Sequence, residues 1–190
     1  MFEDRKGVFV DLLRWDDTVV DGRLEIDQFD SEFAVYLLGE DSQGKHLGSA
    51  RLLPTDRDHI LKTIFPHLCA GSIPEGPRVR EITRFCLSPR LTARERQQVS
   101  KQLVTALAQY ALHAQITTYT GVAERAWFDQ IAQFGWRCEA LAPLAPEGPR
   151  ALAGLRIDID PSTIQGLVRA GMYADAAIQG LEPQPAAWGN

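Results

Sequence analysis

The chain has 190 residues, 45% of them hydrophobic, which is enough for one domain with a single sizeable core. Its 25 acidic and 20 basic residues give a formal net charge of −5, which is not the profile of a general nucleic-acid-binding protein. Apolar runs stay well short of the roughly 18 residues of a membrane span, and the first residues, MFEDRKG, are too charged for a secretory signal. We therefore expect one cytoplasmic domain, residues 1–190, with no membrane or nucleic-acid partner.

The first predicted element is a short helix near the N-terminus. Within residues 5–15, RKGVFVDLLRW, Val8, Leu12 and Trp15 recur at helical spacing, and Phe9 stands beside them. This pattern predicts a helix whose apolar side faces a sheet. Taken alone, ordinary packing is a sufficient explanation for these residues.

The next predicted element is a β-hairpin. Two apolar runs, AVYLL and HLGSARLL, flank the polar turn EDSQGK, as is typical of two antiparallel strands joined by a glycine-containing turn. Asp27 and Asp30 precede the hairpin and Arg51 ends it, so opposite charges are expected to meet at one end of a sheet. The alternative is a surface salt bridge between solvated groups.

A long segment after the hairpin, PTDRDHILKTIFPHLCAGSIPEGP, contains a short helical pattern in HILKTIF. It predicts an excursion between two strands, and such long loops in compact domains are often functional. A passive connector is the alternative. His59 and His67 lie here without a serine or cysteine placed as a nucleophile, so we expect solvated or capping histidines.

A long amphipathic helix is predicted in PRLTARERQQVSKQLVTALAQYALHA, because its apolar residues form one stripe. The residues of the stripe are Val99, Leu103, Ala106, Leu107 and Tyr110. The start of this helix, SPRLTARERQQ, contains no glycine, so a loop of backbone amides that cradles a pyrophosphate is not expected.

The remaining elements alternate between strand and helix. ITTYTGV predicts a strand, ERAWFDQIAQFGW a helix that ends at Gly135, and ALAGLRIDI another strand. A short helix and a proline-rich tail follow, with residues 182–190 loosely held. Three widely spaced cysteines without histidine partners indicate neither a metal site nor disulfides.

Several of these segments, in this order and spacing, resemble the acyl-homoserine-lactone synthases, the LuxI-type autoinducer synthases of bacterial quorum sensing. The match runs from about Arg5 to Trp136. It is carried by Arg5, Phe9, Trp15, Asp27, Asp30, Arg51, Phe65, Glu81 and Arg84.

The resemblance implies a single α/β domain with a mixed, mostly antiparallel sheet flanked by helices, similar to the GNAT acetyltransferase fold. Members of that family usually carry a first strand upstream, which the sheet of this chain is expected to lack. In the strand RVREITRFCLS, strict alternation points Glu81 and Arg84 to opposite faces. A bulge resets the alternation, and the related fold has a splayed strand here, so we predict a bulge between Glu81 and Arg84.

The function implied by the resemblance is synthesis of an N-acyl-L-homoserine lactone from S-adenosylmethionine and an acyl-acyl carrier protein, with release of methylthioadenosine. S-adenosylmethionine is a substrate in this reaction, so no cofactor and no metal are expected. A GNAT-like N-acyltransferase that uses an acyl-CoA and a degenerate synthase that only binds its ligands are the alternatives.

The implied site has four parts. The catalytic part contains Glu81, as general base, with Arg84, Asp27, Asp30 and Arg51, which pre-organise the site. Binding of S-adenosylmethionine is assigned to Arg5, Phe9, Trp15 and Phe65, since a sulfonium is favoured beside aromatic faces. The acyl-chain pocket is assigned to Phe85, Thr120, Val122 and Trp127, for which core packing is the alternative. The carrier-protein patch is assigned to Arg90, Arg94 and Arg96, which would attract an acidic partner, unless they simply form a solvated face.

Overall fold

The structure, a computed structural model, describes residues 1–13, 19–144, 151–176 and 178–179. The described strands are β1 (Val19–Val20), β2 (Leu24–Glu25), β3 (Val35–Glu40), β4 (His46–Pro54), β5 (Val79–Leu87), β6 (Thr118–Glu124), β7 (Arg137–Ala140) and β8 (Leu152–Asp158). The α-helices are α1 (Phe2–Arg5), α2 (Ile60–Thr63), α3 (Ala93–His113), α4 (Arg125–Ile131) and α5 (Thr163–Arg169). A π-helix, Lys6–Leu12, follows α1, and a 3-10 helix, Pro66–Leu68, follows α2.

The centre of the fold is a six-stranded sheet with the strand order β3-β4-β5-β6-β8-β7. Its neighbours pair antiparallel except β5 and β6, which run parallel. The mixed, mostly antiparallel sheet flanked by helices is therefore confirmed. In the described part of the chain β3 forms one edge of this sheet, while β1 and β2 pair with each other in a separate ribbon.

Two irregularities shape the sheet. Ser49 pairs with Cys86 and Arg51 with Thr83, so two residues of β5, Arg84 and Phe85, stand opposite one residue of β4. This is a β-bulge at Arg84, within a residue of the predicted position. A second register shift lies between Gly39 and Glu40 on the edge strand β3.

Strands β5 and β6 separate after a short stretch of pairing. Their ladder covers Val79–Ile82 and Thr118–Gly121, although the strands continue to Leu87 and Glu124. The bulge falls just where the ladder stops. Because bulges bend a strand and increase its twist, the second half of β5 diverges from β6 and leaves a gap in the sheet.

The main hydrophobic core lies between one face of the sheet and helices α3, α4 and α5. The apolar stripe of α3 buries Leu103 and Leu107 here, and Tyr119 of β6 donates its hydroxyl proton to the carbonyl oxygen of Leu107 at 3.0 Å. Helix α3 begins in a capping box, in which Thr92 and Glu95 exchange hydrogen bonds. The predicted long amphipathic helix is thus confirmed.

The opposite face of the sheet carries the N-terminal segment and α2. Phe29, Leu53 and Ile60 form a smaller apolar cluster there. The segment after β4 contains the short helix predicted in HILKTIF. None of the helices in the described ranges combines the length and the apolar character that crossing a membrane requires.

Three predictions about elements need correction. The N-terminal helix is interrupted by a π-helix, and Leu12 is 72% exposed rather than packed on the sheet, because the wider turn moves it off the stripe that buries Phe9. Helix α4 ends at Ile131, four residues before Gly135. His59, predicted to be solvated or capping, is fully buried at the N-cap position of α2, but its side chain does not cap the helix; Nδ1 is bonded to the carbonyl oxygen of Arg57. Trp15 and the tail 182–190 lie outside the described residues.

Candidate active site

A cavity of about 890 Å³ occupies the gap between the splayed strands. Its polar end is bordered by Asp27, Glu81, Thr83 and Arg84, and its apolar end by side chains of β6, α3 and α4. The π-helix contributes Phe9 to the wall, α2 contributes Ile60, and the residues that follow α2 contribute Ile64 and Phe65. One continuous cleft therefore joins charged groups to an apolar tunnel through the sheet.

Six charged side chains beside the cavity form a compact ionic cluster. It consists of three arginines and three carboxylates, all 10% exposed or less: Arg5, Arg51, Arg84, Glu25, Asp27 and Asp30. Its formal charges cancel. Because buried charges are costly unless they are paired and hydrogen-bonded, each member depends on the others. The convergence of Asp27, Asp30 and Arg51 predicted from the hairpin is observed, and the pairs are buried rather than on the surface.

The donors of Arg51 and Arg5 are used inside this ionic cluster. Arg51 donates from Nε to Thr83 at 2.9 Å and from its two Nη atoms to Asp27 at 2.7 and 2.9 Å. Arg5 donates from Nε to Glu25 and from both Nη atoms to Asp30. Both guanidinium groups are fully buried. The assignment of Arg5 to S-adenosylmethionine binding stays a prediction; in the structure its guanidinium bonds to the carboxylates of Glu25 and Asp30.

Asp30 shows how strongly the ionic cluster is coupled. Burial alone would raise the pKa of its carboxyl, but hydrogen bonds from Arg5 and Tyr36 outweigh burial and hold the pKa well below its ordinary range. The Tyr36 hydroxyl donates to Asp30, and burial together with this bond raises the pKa of Tyr36 to about 12. At neutral pH the carboxylate therefore stays ionised and the phenol stays neutral.

The bulge brings Arg84 to the cavity wall. Arg84 has φ +49°, an uncommon backbone conformation for a residue other than glycine. Its guanidinium donates to Glu25 at 3.0 Å and lies 2.8 Å from Asp27, and its Cζ atom lies 5.2 Å from the centre of the Phe9 ring. Glu81 and Arg84 thus both border one cleft, as the bulge prediction required.

Glu81 is a buried carboxylate with two backbone partners. Its oxygens accept the N–H groups of Ile60 and Leu61, both at 2.8 Å, so the side chain caps the first turn of α2. Burial raises the pKa of Glu81 to about 7, against these two bonds, which act to lower it. A carboxyl group whose pKa lies near neutrality at a cavity wall is a candidate general base.

The apolar end of the cavity is lined by an aromatic row. Phe85, Trp127, Phe134 and Trp136 follow one another with ring centres 5.7 to 5.8 Å apart, and all four border the cavity. Phe85, Val122 and Trp127 therefore lie where the acyl-chain assignment expects them. Thr120 differs: it is fully buried and pairs with Glu81 between β6 and β5, but it is not part of the cavity wall.

The predicted basic patch is divided among three surroundings. Arg90 is 48% exposed and donates both Nη atoms to Asp4. Arg96 borders the cavity and bonds to the carbonyl oxygen of Ser88. Arg94 is an exposed residue of the first turn of α3. The three arginines do not form one uniform docking surface.

The sequence predictions missed Glu25, which belongs to the ionic cluster. They also missed Tyr36 and Thr83, which bond to members of the cluster. A glutamate or tyrosine beside a short strand is usually half solvated, so composition gave no reason to bury either. The sequence feature that could have identified Glu25 and Tyr36 was their spacing from residues that were predicted. Glu25 stands two residues before Asp27, and Tyr36 pairs with Arg51 across the hairpin, so each lies on the same side as a predicted residue.

Comparison with known proteins decides the family. The sequence model described as autoinducer synthase matches residues 1–167. An acyl-homoserine-lactone synthase from Ralstonia nicotianae is 31% identical over 182 residues, covering 92% of this chain and 89% of the relative. Another, from Rhizobium etli, is 35% identical over 158 residues, covering 82% and 74%. The chain belongs to the autoinducer synthase family. The predicted enzyme class, an acyltransferase of the acyl-homoserine-lactone synthases, is thereby confirmed.

Solved structures of autoinducer synthases share this fold. MesI, a CoA-dependent acyl-homoserine lactone synthase, has a TM-score of 0.80 and 29% identity, covering 92% of this chain and 87% of its own. TofI, solved with an inhibitor and MTA, has a TM-score of 0.72 and 28% identity, covering 88% and 86%. BjaI, solved with SAM and isopentyl-CoA, has a TM-score of 0.78 and 25% identity, covering 95% and 86%.

A solved structure of lower sequence identity also has a similar fold. A structure assigned as an N-acetyltransferase from Lactobacillus plantarum has a TM-score of 0.51 and 17% identity, covering 82% of this chain and 86% of its own. At this identity the likeness concerns the fold alone. The GNAT-like architecture of this autoinducer synthase is thus shared beyond its family.

Proposed function

We propose that the enzyme makes an N-acyl-L-homoserine lactone from S-adenosylmethionine and an acyl thioester. The observation that carries this proposal is the single cleft, which joins an ionic cluster and Glu81 to an apolar tunnel. A charged amino-acid substrate suits the first end and an acyl chain suits the second. Two similar enzymes have been solved with a substrate or product of this reaction, BjaI with SAM and isopentyl-CoA and TofI with MTA.

The first chemical step forms the amide. Glu81 accepts a proton from the methionyl ammonium, directly or through water, and the neutral amine attacks the thioester carbonyl. The C–S bond of the thioester breaks and the thiol leaves with a proton. A carboxylate whose pKa is about 7 is well matched to this exchange, since proton transfer is most efficient when the base titrates near the working pH.

The second step closes the lactone. The methionyl carboxylate attacks its own γ-carbon, the bond from that carbon to sulfur breaks, and the electron pair neutralises the sulfonium as methylthioadenosine leaves. The ionic cluster keeps Asp27 and Arg84 fixed at the wall beside this reaction, so little reorganisation is needed during it. Phe9 and Phe65 offer aromatic faces to the sulfonium from the same wall.

For the acyl donor we propose an acyl carrier protein. The N-terminus of α3, where a coenzyme pyrophosphate would be expected to bind, is closed by the Thr92–Glu95 capping box, in which Glu95 accepts from the backbone N–H of Thr92 at 2.8 Å. A carboxylate at this position disfavours the binding of a diphosphate, because both groups are negatively charged. The second candidate donor is an acyl-CoA, because the similar enzyme MesI is CoA-dependent.

The test is a direct comparison of donors. Purified enzyme is incubated with S-adenosylmethionine and either acyl carrier proteins or CoA thioesters that carry the same acyl chains, and methylthioadenosine and lactone are quantified together. We expect both products in equal amounts and a higher kcat/KM with the carrier protein. Higher kcat/KM with CoA would overturn the donor assignment, and absence of both products with every donor would overturn the proposed function.

A further inference from the structure

Asp4 is a buried acid outside the ionic cluster. It is 5% exposed, and its carboxylate accepts both Nη atoms of Arg90, at 2.6 and 3.0 Å. Nδ1 of His46, at the start of β4, lies 2.7 Å from the same carboxylate. Asp4 therefore connects the N-terminal helix α1 to the sheet and to the loop that leads into α3.

The neighbouring residue anchors the same segment a second time. Arg5 is fully buried among the carboxylates of the ionic cluster. The π-helix begins directly after it and carries Val8 and Phe9 onto the cavity wall. Two consecutive side chains of opposite charge are thus fixed in two separate networks, and the position of Phe9 depends on both.

Arg90 is engaged as a clamp and not as a docking group. Besides its two bonds to Asp4, its Nη2 atom donates to the carbonyl oxygen of His46 at 3.3 Å. Burial disfavours the ionised form of Asp4, but bonds from His46 and Arg90 outweigh this and lower its pKa, so the Asp4 carboxylate is ionised at neutral pH. A guanidinium already bonded to a carboxylate is a poor site for a second anion.

We propose that Asp4 and Arg90 are positioning residues, which hold the N-terminal wall of the cavity and thereby place Phe9 against the S-adenosylmethionine sulfonium. This inference rests on the proposed function and reassigns Arg90 from acyl-donor recruitment to nucleoside binding. The two roles of Arg90 predict different kinetic effects when the residue is replaced. Loss of the clamp weakens binding of S-adenosylmethionine, whereas loss of a docking group weakens use of the acyl donor.

The test uses Arg90→Met, which keeps the length of the side chain and removes its donors, and Asp4→Asn. We expect Arg90→Met to raise the KM for S-adenosylmethionine roughly tenfold or more, because small misplacements of a binding wall are costly, with the KM for the acyl donor unchanged. The effect of the Asp4→Asn/Arg90→Met double variant should be smaller than the sum of the two single effects, since each single variant already breaks the Asp4–Arg90 pair. Arg137→Met is the matched control, since Arg137 of β7 is 71% exposed and paired with Asp160.

Amide hydrogen exchange of residues 6–13 gives a readout that needs no turnover. Exchange there should be faster in Arg90→Met than in the wild type or Arg137→Met, even if the enzyme made no product under any condition. A raised KM for the acyl donor, with exchange and the KM for S-adenosylmethionine unchanged, would overturn the inference and return Arg90 to the docking patch. Additive effects in the double variant would also overturn it.

Discussion

In the proposed mechanism Glu81 has two roles, as a general base and as the cap of α2. Its carboxylate borders the cavity, and its two oxygens accept the first N–H groups of α2, a helix that contributes Ile60 to the cavity wall. An amide has only one oxygen acceptor, so Glu81→Gln removes the base and also weakens the attachment of α2. The residue links proton transfer to the shape of the cleft.

For Glu81→Gln we expect turnover to fall on the order of a hundredfold or more, as for loss of a general base. The measurement is kcat for lactone formation, with circular dichroism to check the fold. Thr63→Val is the control, because it removes the bond from Thr63 to the carbonyl oxygen of His59 within α2 and leaves the carboxylate intact. If both variants lost activity equally, the role of Glu81 would be to hold α2 and not to accept a proton.

Arg51 should be essential for stability as well as activity. It is fully buried with all three nitrogens bonded, so Arg51→Ala leaves Asp27 partly stranded. Breaking a buried pair typically costs about 3–5 kcal/mol, and we expect a loss of this order in the free energy of unfolding, measured by urea titration. Arg137→Ala removes an exposed pair and should cost at most about 1 kcal/mol. Equal losses would show that the ionic cluster is more solvated than the structure indicates.

At the scale of single residues, the sequence predicted some members of the ionic cluster but not all of its ion pairs. Asp27, Asp30 and Arg51 were predicted to meet because a hairpin joins them. Glu25 and Asp4 were missed, because the arginines that pair with them come from distant segments of the chain. Thr120 was assigned to the acyl pocket by resemblance, whereas its place in the sheet sets it outside the cavity wall.

At the scale of elements, a close backbone contact supports the apolar end of the cleft. Gly135 has φ +95°, and a Cβ atom on Gly166 of α5 would lie 2.0 Å from the Gly135 carbonyl oxygen. Phe134 and Trp136, on either side of Gly135, line the cavity. The missing side chain at Gly166 therefore lets α5 hold the aromatic row in place.

Alanine normally stabilises a helix by about 1 kcal/mol relative to glycine, but at Gly166 we expect the opposite sign. Gly166→Ala should destabilise the protein by about 1–3 kcal/mol, as for overpacking, and should reduce activity on the longer acyl donors first. Thermal unfolding and a series of chain lengths check both effects. Gly71→Ala, where a Cβ atom meets nothing within 4 Å, should be nearly neutral. A stabilised Gly166→Ala variant would contradict this account.

The order and type of the elements followed from periodicity and turn residues, as in the hairpin and in α3. Details that depend on packing between distant segments could not be predicted from these local patterns. The π-helix moves Leu12 out to solvent, and α4 ends four residues early because the chain must turn for the close contact between Gly135 and Gly166. The bulge at Arg84 was predicted only through the family resemblance, which assigns Glu81 and Arg84 to one cleft and implies a splayed strand here.

For the whole molecule, the raised pKa of Glu81 predicts opposite effects of pH on activity and on stability. Activity needs the carboxylate, so kcat/KM should rise with pH and level off above about 7. The free energy of unfolding should instead fall as the pH rises. A folded pKa of about 7 against an ordinary value of 4.5 means that Glu81 stabilises the fold fully below pH 4.5, and that this contribution is lost as the pH rises through 7.

The comparison with Glu81→Gln isolates this effect. Urea unfolding of both proteins at pH 5 and pH 8 should show the wild type losing stability relative to the variant as the pH rises. Parallel pH dependence in the two proteins would mean that the Glu81 carboxyl is no harder to ionise in the folded chain than in the unfolded one.

The two edges of the sheet bear on how the protein behaves at high concentration. The register shift at Glu40 interrupts β3, and β7 has only four residues, with Arg137 and Glu139 exposed. Short, irregular and charged edge strands are poor templates for pairing with another chain. Both edges of the described sheet are therefore protected against intermolecular β-extension, so we expect no aggregation through these strands at high concentration.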